Sequence, residues 1–446
     1  MNLGYFVEAA ARELALFAAA GFLVGGIDEL LIDLTWTIRA VRRMFVFRTR
    51  ERATVDTLPP AAPGRFAVFI PAWDESAVIG AMLRHLLASF GDCAVYVAVY
   101  PNDPATRAAV AAFDEPRLRI AITERPGPTT KADALNTLWR AMVADEAREG
   151  ARYRGVVLHD AEDVVHPDEL RVFAGLIDRF ALIQLPVLPL VDRTSRWIAG
   201  TYLDEFAEHH GKTLLAREET GAAVPSAGVG CVFEREALGR IAGDQGPFDA
   251  ASLTEDYELG LRLRAAGGRA AFVRIEDADG RLVATEEHFP ASYDAAVRQR
   301  ARWIAGIALH GWDRLRWSGG MAERWMRARD RRSLIAAFVL LAGYLALILW
   351  ISLVVATGEI ATLGLPGWLT TAVTVLMLWR IGVRAAFVTA AHGWRQGLLS
   401  IPRVLVANAI TIGASWRAIL IYLRARRSGG VVWDKTAHVF PESVAR

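Results

Sequence analysis

Apolar positions follow two regimes along the chain. Toward both ends they run on without relief. From Ser333 to Gly358 the stretch SLIAAFVLLAGYLALILWISLVVATG holds 26 residues and no charge, enough for a helix to cross a bilayer. Trp368 to about Ala391 also spans on length, although it carries Arg380 and Arg384. A third run is cut short, with 13 uncharged residues between Arg403 and Arg417. Asn408, Thr411 and Ser415 form a polar stripe there at i, i+3 and i+7, which predicts a helix lying in the membrane interface. Near the N-terminus, Leu14 to Ile27 is apolar and edged by acids, with no basic n-region. That predicts a retained anchor and not a cleaved signal.

Between these ends, over residues 59–332, short apolar runs alternate with amphipathic ones. RFAVFI, AVYVAVY, RLRIAI, GVVLH and ALIQLPVL (Ala181 to Leu188) predict five strands, with helices between the first four. This is the pattern of an open, mostly parallel α/β sheet, which binds ligands at the carboxyl ends of its strands. There is no internal repeat and no low-complexity segment.

Composition narrows the class. Hydrophobic residues make up 53% of the 446, which argues against disordered, fibrous and purely soluble chains. A net charge of +2 gives no general attraction to nucleic acid. Two cysteines cannot build a disulfide framework, so the folded bulk is expected in the cytoplasm. Arg39, Arg42, Arg43, Arg48, Arg50 and Arg52, against Glu51 alone, place the chain that follows them there. Thr357 to Leu365, free of Lys and Arg, fits the outside, and Arg424, Arg426 and Arg427 favour a cytoplasmic tail. Only three of the 51 basic residues are lysine, Lys131, Lys212 and Lys435. A lysine that persists in such a chain marks a place suited to a compact point charge.

Candidate chemistry lies just past the strands. PAWDES carries Asp74 and Glu75, YPNDP carries Asp103, and GPTTKADALN places Lys131 on the next helix. DAEDVVHP clusters Asp160, Glu162 and Asp163 after the fourth strand. Three carboxylates so close repel one another and call for a cation, either Mg²⁺ or Mn²⁺. A solvated acidic turn capping a helix from Pro167 would also account for them. His159 and His166 raise zinc, which neither their spacing nor the ligand set favours. In SLTEDYELG, Ser252 and Glu255 fit a capping box. Asp256 is left in the first turn, where the helix dipole keeps a carboxylate ionised for proton abstraction. In QRARW, Gln299, Arg302 and Trp303 share one helix face. They offer an amide, a permanent cation and a flat ring to a diphosphate and a sugar.

In this order the motifs resemble those of the membrane-embedded family 2 glycosyltransferases. PAWDE resembles their P-A-x-x-E, DAED stands where they have D-x-D, Thr254 to Asp256 reads TED, and QRARW matches Q-x-x-R-W. FIPAWDES, YPNDPAT, HDAEDVVHP, LTEDYELG and WDKTAHVFP are most similar to the bacteriophage adsorption protein B type of inner-membrane enzyme. That type often carries an additional regulatory domain, which is not expected here. The resemblance covers about Phe66 to Gly311 and implies an α/β GT-A domain flanked by transmembrane and interfacial helices. The implied units are an anchor and basic linker (1–58), a cytosolic catalytic domain (59–332), a transmembrane hairpin with an interfacial helix (333–423), and a gating-loop-like tail (424–446). The implied donor is a UDP-sugar, with UDP-N-acetylhexosamine the leading choice. Ala72, Glu75 and Asp103 would hold its uridine, and Lys131 would lie near the nucleotide. Asp160 and Glu162 would flank Mg²⁺ or Mn²⁺ on the diphosphate, with Asp163 adjoining. The glutamate in the third D-x-D position leaves the choice between Glu162 and Asp163 open. Asp256 would be the base, with Glu255 next in line. Gln299, Arg302 and Trp303 would bind the diphosphate and acceptor sugar, and Trp433, Lys435 and Thr436 would belong to the gating tail. The implied activity is inverting transfer to a growing polysaccharide at a bacterial inner membrane. Transfer of one sugar to a polyprenyl phosphate and a degenerate docking scaffold are the alternatives. The implied partners are a carbohydrate or lipid-linked acceptor, membrane lipids, and a homo-oligomer or an export partner, with no nucleic acid.

Overall fold

The computed structural model describes residues 3–47, 54–360, 362–428 and 440–441. The chain opens with α1 (Leu3–Phe47), one 45-residue helix in which the anchor runs on into the basic linker. The α/β region follows as β1 (Phe66–Pro71), α2 (Ile79–Ser89), β2 (Cys93–Val99), α3 (Pro104–Ala111), β3 (Leu118–Ile122), α4 (Lys131–Glu149), β4 (Gly155–Leu158) and α5 (Glu169–Leu176). Next come β5 (Leu182–Gln184), β6 (Val187–Pro189), α6 (Gly200–Glu208), α7 (Leu214–Glu219), β7 (Cys231–Glu234), α8 (Arg235–Ile241), α9 (Glu255–Ala265), β8 (Ala270–Phe272), β9 (Thr285–Glu287) and α10 (Tyr293–Ile304). Two short helices, α11 (Gly311–Leu315) and α12 (Met321–Arg331), lead to α13 (Ser333–Thr357), α14 (Gly367–His392) and α15 (Trp394–Ser428).

The main sheet has the order β3-β2-β1-β4-β7-β5-β8, with β7 antiparallel to both neighbours and the other pairs parallel. β1, β2 and β4 are buried throughout, because helices cover both faces. Phe66, Val68 and Ile70 enter one core, while Ala67 and Phe69 enter the other. Such two-sided burial is why these strands read as continuous apolar runs. The run from Ala181 to Leu188, expected as one strand, divides at Pro186. β5 stays in the main sheet, and β6 pairs in parallel with β9. The carbonyl of Pro186 still accepts from Thr285, at 3.0 Å, but proline has no N–H to continue a ladder.

Four helices, α1, α13, α14 and α15, are long and apolar enough to cross a membrane. The third apolar run, expected as a short interfacial helix, is the 35-residue α15. Its polar stripe turns inward and not toward water. Asn408 donates to the Tyr344 hydroxyl of α13 at 3.0 Å, and Ser415 is buried. Arg403 is wholly buried and donates to Asp204 of α6 at 2.6 Å. Ala414 and Ala418 pack against Ala301 and Ala305 along α10 and its continuation. Beyond α15, Phe440 is buried in the α/β core, its ring 6.3 Å from that of His85.

Candidate active site

The carboxyl ends of β1 and β4 and the start of α4 face the start of α9 and one side of α10 across a cavity. Glu75, Lys131, Asp160, Glu162, Glu255, Asp256, Gln299, Arg302 and Trp303 all line it. The structure therefore gathers most of the residues singled out in the sequence, though they come from five separate segments.

Asp103 works as a brace. It caps α3 by accepting from the Thr106 amide at 3.1 Å, and its other oxygen accepts from the Asp74 amide at 2.6 Å. The Thr106 hydroxyl accepts from the Glu75 amide at 2.9 Å. These bonds fix the turn after β1, where Asp74 adopts a left-handed φ of 55°. Ala72 is wholly buried, and its amide donates to Ala98. Neither Ala72 nor Asp103 lines the cavity itself, whereas Glu75 does.

The acidic turn after β4 is held from behind by a buried histidine. His159 Nδ1 meets Asp163 Oδ2 at 2.9 Å, and Nε2 faces Glu169 Oε2 at 3.1 Å. Burial opposes protonation, but the two carboxylates outweigh it and raise the imidazole to about 10. The same Asp163 oxygen accepts from the Asp160 amide at 3.0 Å. Asp163 therefore points away from the cavity and shapes the turn. Asp160 and Glu162 are the members that project into it. Asp163, expected beside the metal, does not itself line the cavity. Lys131 opens α4 and places Nζ 2.6 Å from Asp160 Oδ1. Burial works against its charge, yet Asp160, Glu255 and Asp256 hold the ammonium protonated.

The start of α9 also departs from the expected capping box. The N-cap of α9 is Thr254 and not Ser252, whose Oγ accepts from the Thr254 amide at 3.2 Å and donates to Glu258 at 2.8 Å. Glu255 is thereby released to the cavity, where burial and then the Asp256 charge push it up to about 7. Burial likewise raises Asp256, while Lys131 draws it back down. Gly228, at φ +80°, makes room for this carboxylate, since a Cβ there would lie 2.4 Å from Asp256 Oδ2. Gly306 does the same for Thr254, 2.5 Å from its Cγ2.

Asp256 also lines a second cavity, of about 450 Å³, that extends from α9 toward α1 and α14. Phe206, Tyr257 and Trp303 supply aromatic rings to it. Its five arginines are matched by five carboxylates. Arg217 pairs with Asp330 at 2.8 Å, Arg329 with Glu29 at 3.0 Å, Arg380 and Arg384 with Glu208 at 2.6 and 3.2 Å, and Arg332 with Glu29. Sequence reading missed this cavity and Phe206, because no spacing along the chain brings α6, α12 and α14 together. Tyr202 and Phe206, four apart on α6, were the only local signal. Among the described residues, His166, Asp168 and Asp277 form the one group of three that converges closely enough for a metal ion. Both Asp277 oxygens already accept from Arg281, and the group does not line the first cavity.

Residues 63–306 match the family model described as glycosyltransferase like family 2. The chain belongs to glycosyltransferase family 2. It is 35% identical over 468 residues to bacteriophage adsorption protein B of Escherichia coli (strain K12), across 96% of this chain. Bacteriophage N4 adsorption protein B of Escherichia coli O157:H7 aligns with the same figures. The chain spans 62% of the length of these curated relatives. Among solved structures, a mannosyltransferase from Pyrobaculum calidifontis in complex with GDP-Man and Mn²⁺ aligns at 18% identity. It does so with a TM-score of 0.53, over 93% of this chain and 99% of that one. That likeness shows the fold, which is GT-A. The chain thus carries a family 2 glycosyltransferase region of GT-A fold, with four helices long and apolar enough to span a membrane.

Proposed function

We propose that this enzyme transfers a sugar, with inversion, from a UDP-sugar to a hydroxyl of a growing polysaccharide at the cytoplasmic face of a bacterial inner membrane. UDP-N-acetylhexosamine is the leading donor. One observation carries the reading: Asp256 stands on the wall shared by two cavities. One has the groups for a diphosphate, and the other has aromatic faces and balanced charge. A base at their junction takes the proton of an acceptor hydroxyl on one side as the hydroxyl attacks the anomeric carbon on the other. Displacement from the face opposite the leaving diphosphate inverts that carbon.

Within this reading, Glu75 faces the uridine, and Ala72 and Asp103 hold the turn beneath it. Uridine itself rests on the similarity of PAWDE to the family's opening motif. Asp160 and Glu162 would hold Mg²⁺ or Mn²⁺. Their hard oxygen donors suit either ion, and the Lys131 ammonium on Asp160 is consistent with a negative site. Such an ion would neutralise charge on the diphosphate. Lys131 and Arg302 add fixed positive charge there. Gln299 and Trp303 contact the diphosphate and the acceptor sugar, and Glu255 is the next carboxylate able to accept a proton. The second cavity favours an uncharged acceptor, because its arginines already have carboxylates and a lipid phosphate would have to break those pairs.

Chain parity supports placing the tail on the same side of the membrane as the α/β domain. If α1, α13 and α14 cross, the α/β domain and the start of α15 lie on one side. Phe440 packs in that domain, so α15 must return the chain to the same side, as an interfacial helix does. The proposed units are 1–58, 59–332, 333–423 and 424–446. The proposed gating residues Trp433, Lys435 and Thr436 lie outside the described residues. Incubating membranes that contain the protein with radiolabelled UDP-sugars and sizing the products tests the function. A polymer that disappears in excess EDTA is expected. A single-sugar lipid would overturn the acceptor, and no product from any UDP-sugar would overturn the donor.

A further inference from the structure

Helices α6 and α7 are joined by a π-helical turn, His209–Thr213, and turns of this kind recur at functional sites. Helices α1 and α14 hold it in place. The Trp36 indole donates to the Gly211 carbonyl at 3.1 Å. Phe387 lies so close that a Cβ on Gly211 would stand 2.8 Å from its ring. Lys212 is buried and donates to Glu208 at 2.7 Å and to Asp33 of α1. This lysine thus marks a place suited to a compact charge, between a helix of the α/β domain and α1.

The turn brings two adjacent histidines to the wall of the 450 Å³ cavity that Asp256 also lines. They are placed differently. His210 Nδ1 accepts from the Val187 amide at 2.9 Å, which ties it to β6. Among the described residues the His209 imidazole has no hydrogen-bond partner, and its ring contact is with His210, 5.4 Å away. The carboxylates that act on His209 are engaged elsewhere. Glu205 accepts from Arg300 at 2.5 Å, and Asp330 accepts from Arg217 at 2.8 Å and from Tyr257 at 2.6 Å. Burial lowers the His209 pKa against the pull of both. At neutral pH the ring therefore offers one donor and one acceptor. Phe206 precedes it by three residues and shares its face of the helix. The Phe206 ring lies 6.5 Å from that of Trp303. The cavity wall thus joins two aromatic faces to a neutral polar ring.

We propose that His209 is a specificity-determining residue, which hydrogen-bonds a hydroxyl of the acceptor's terminal sugar while Phe206 and Trp303 receive that sugar's apolar faces. The inference rests on the reading of this cavity as the acceptor's. It assigns the site a neutral pyranose. A ring lacking the matching hydroxyl would leave the imidazole buried and unpaired, and that cost is what discriminates between acceptors.

The test compares the native full chain with His209→Phe and His209→Gln in the same membranes, using a radiolabelled UDP-sugar that the native chain consumes. Three quantities are read: sugar built into polymer, sugar released to water, and UDP binding. Phenylalanine keeps a flat ring and loses the hydrogen bond, whereas glutamine keeps a donor and an acceptor. His209→Phe should cut polymer formation by about tenfold, the scale of one lost hydrogen bond. Its UDP binding should stay native while the share of donor lost to water rises. His209→Gln should stay within about threefold of native. If His209→Phe loses UDP binding, the smaller His209→Leu carries the comparison. Native polymer formation in the apolar variant overturns the proposal. So does an equal loss in the glutamine variant, which would indicate shape alone, or a loss of UDP binding in both apolar variants, which would indicate a structural role. A native chain that makes only a single-sugar lipid, or nothing from any UDP-sugar, overturns the underlying reading and the proposal with it. That failure shows in the native chain, before any variant is compared.

Discussion

At the scale of single residues, the site depends on carboxylates placed where they resist ionisation. Asp256 and Glu255 are adjacent and desolvated, and they titrate as a pair raised above the ordinary carboxylate range, Glu255 reaching about 7. A base must be ionised, so transfer falls as pH drops through the raised values. The acid limb of kcat/KM is expected above the unperturbed carboxylate values of about 4, because burial raises Asp256. A native limb at the ordinary carboxylate position would contradict this. Gly228 gives a steric test of the same carboxylate. In Gly228→Ala the new Cβ would stand 2.4 Å from Asp256 Oδ2, at a φ of +80° that suits glycine. Steady-state kinetics should show kcat down by about 10²-fold, the scale of losing a positioned base, with UDP affinity unchanged. An unaltered kcat would mean that Asp256 needs no such space.

At the scale of elements, the sequence showed type more readily than partnership. Strands β1 to β4 were legible because two-sided burial writes itself as unbroken apolar runs. Asp160, Glu162 and Asp256 were legible because they follow strand or helix boundaries directly. The inward turn of Asp163 was not, since it depends on His159 and Glu169 meeting in three dimensions. Nor was the division at Pro186, where the partner strand β9 lies about a hundred residues on. The true length of α15 was hidden by Arg403, which reads as a break and instead finds Asp204. The placement of α15 has its own test. Cys93 and Cys231 are both buried, so Lys435→Cys supplies the accessible thiol. An impermeant reagent should label position 435 only after the inner membrane is opened. Labelling from the periplasmic side would make α15 a span and put the tail outside.

At the scale of the whole molecule, helices and α/β domain form one catalytic unit. α1 and α14 supply carboxylates and arginines to the wall of the acceptor cavity, and α10 carries Gln299, Arg302 and Trp303 along one side while packing on α15 with the other. In the proposed reading this arrangement would set the donor over the sheet and the acceptor toward the membrane, with Asp256 between them. The direct test compares Asp256→Asn with the native chain in the same membranes, measuring UDP-sugar transfer and UDP binding together. Asparagine keeps the shape and cannot take the proton. Transfer should fall by about 10²-fold or more while UDP binding stays within a few-fold of native. Transfer near the native rate in that variant would contradict the account and move the base to another residue.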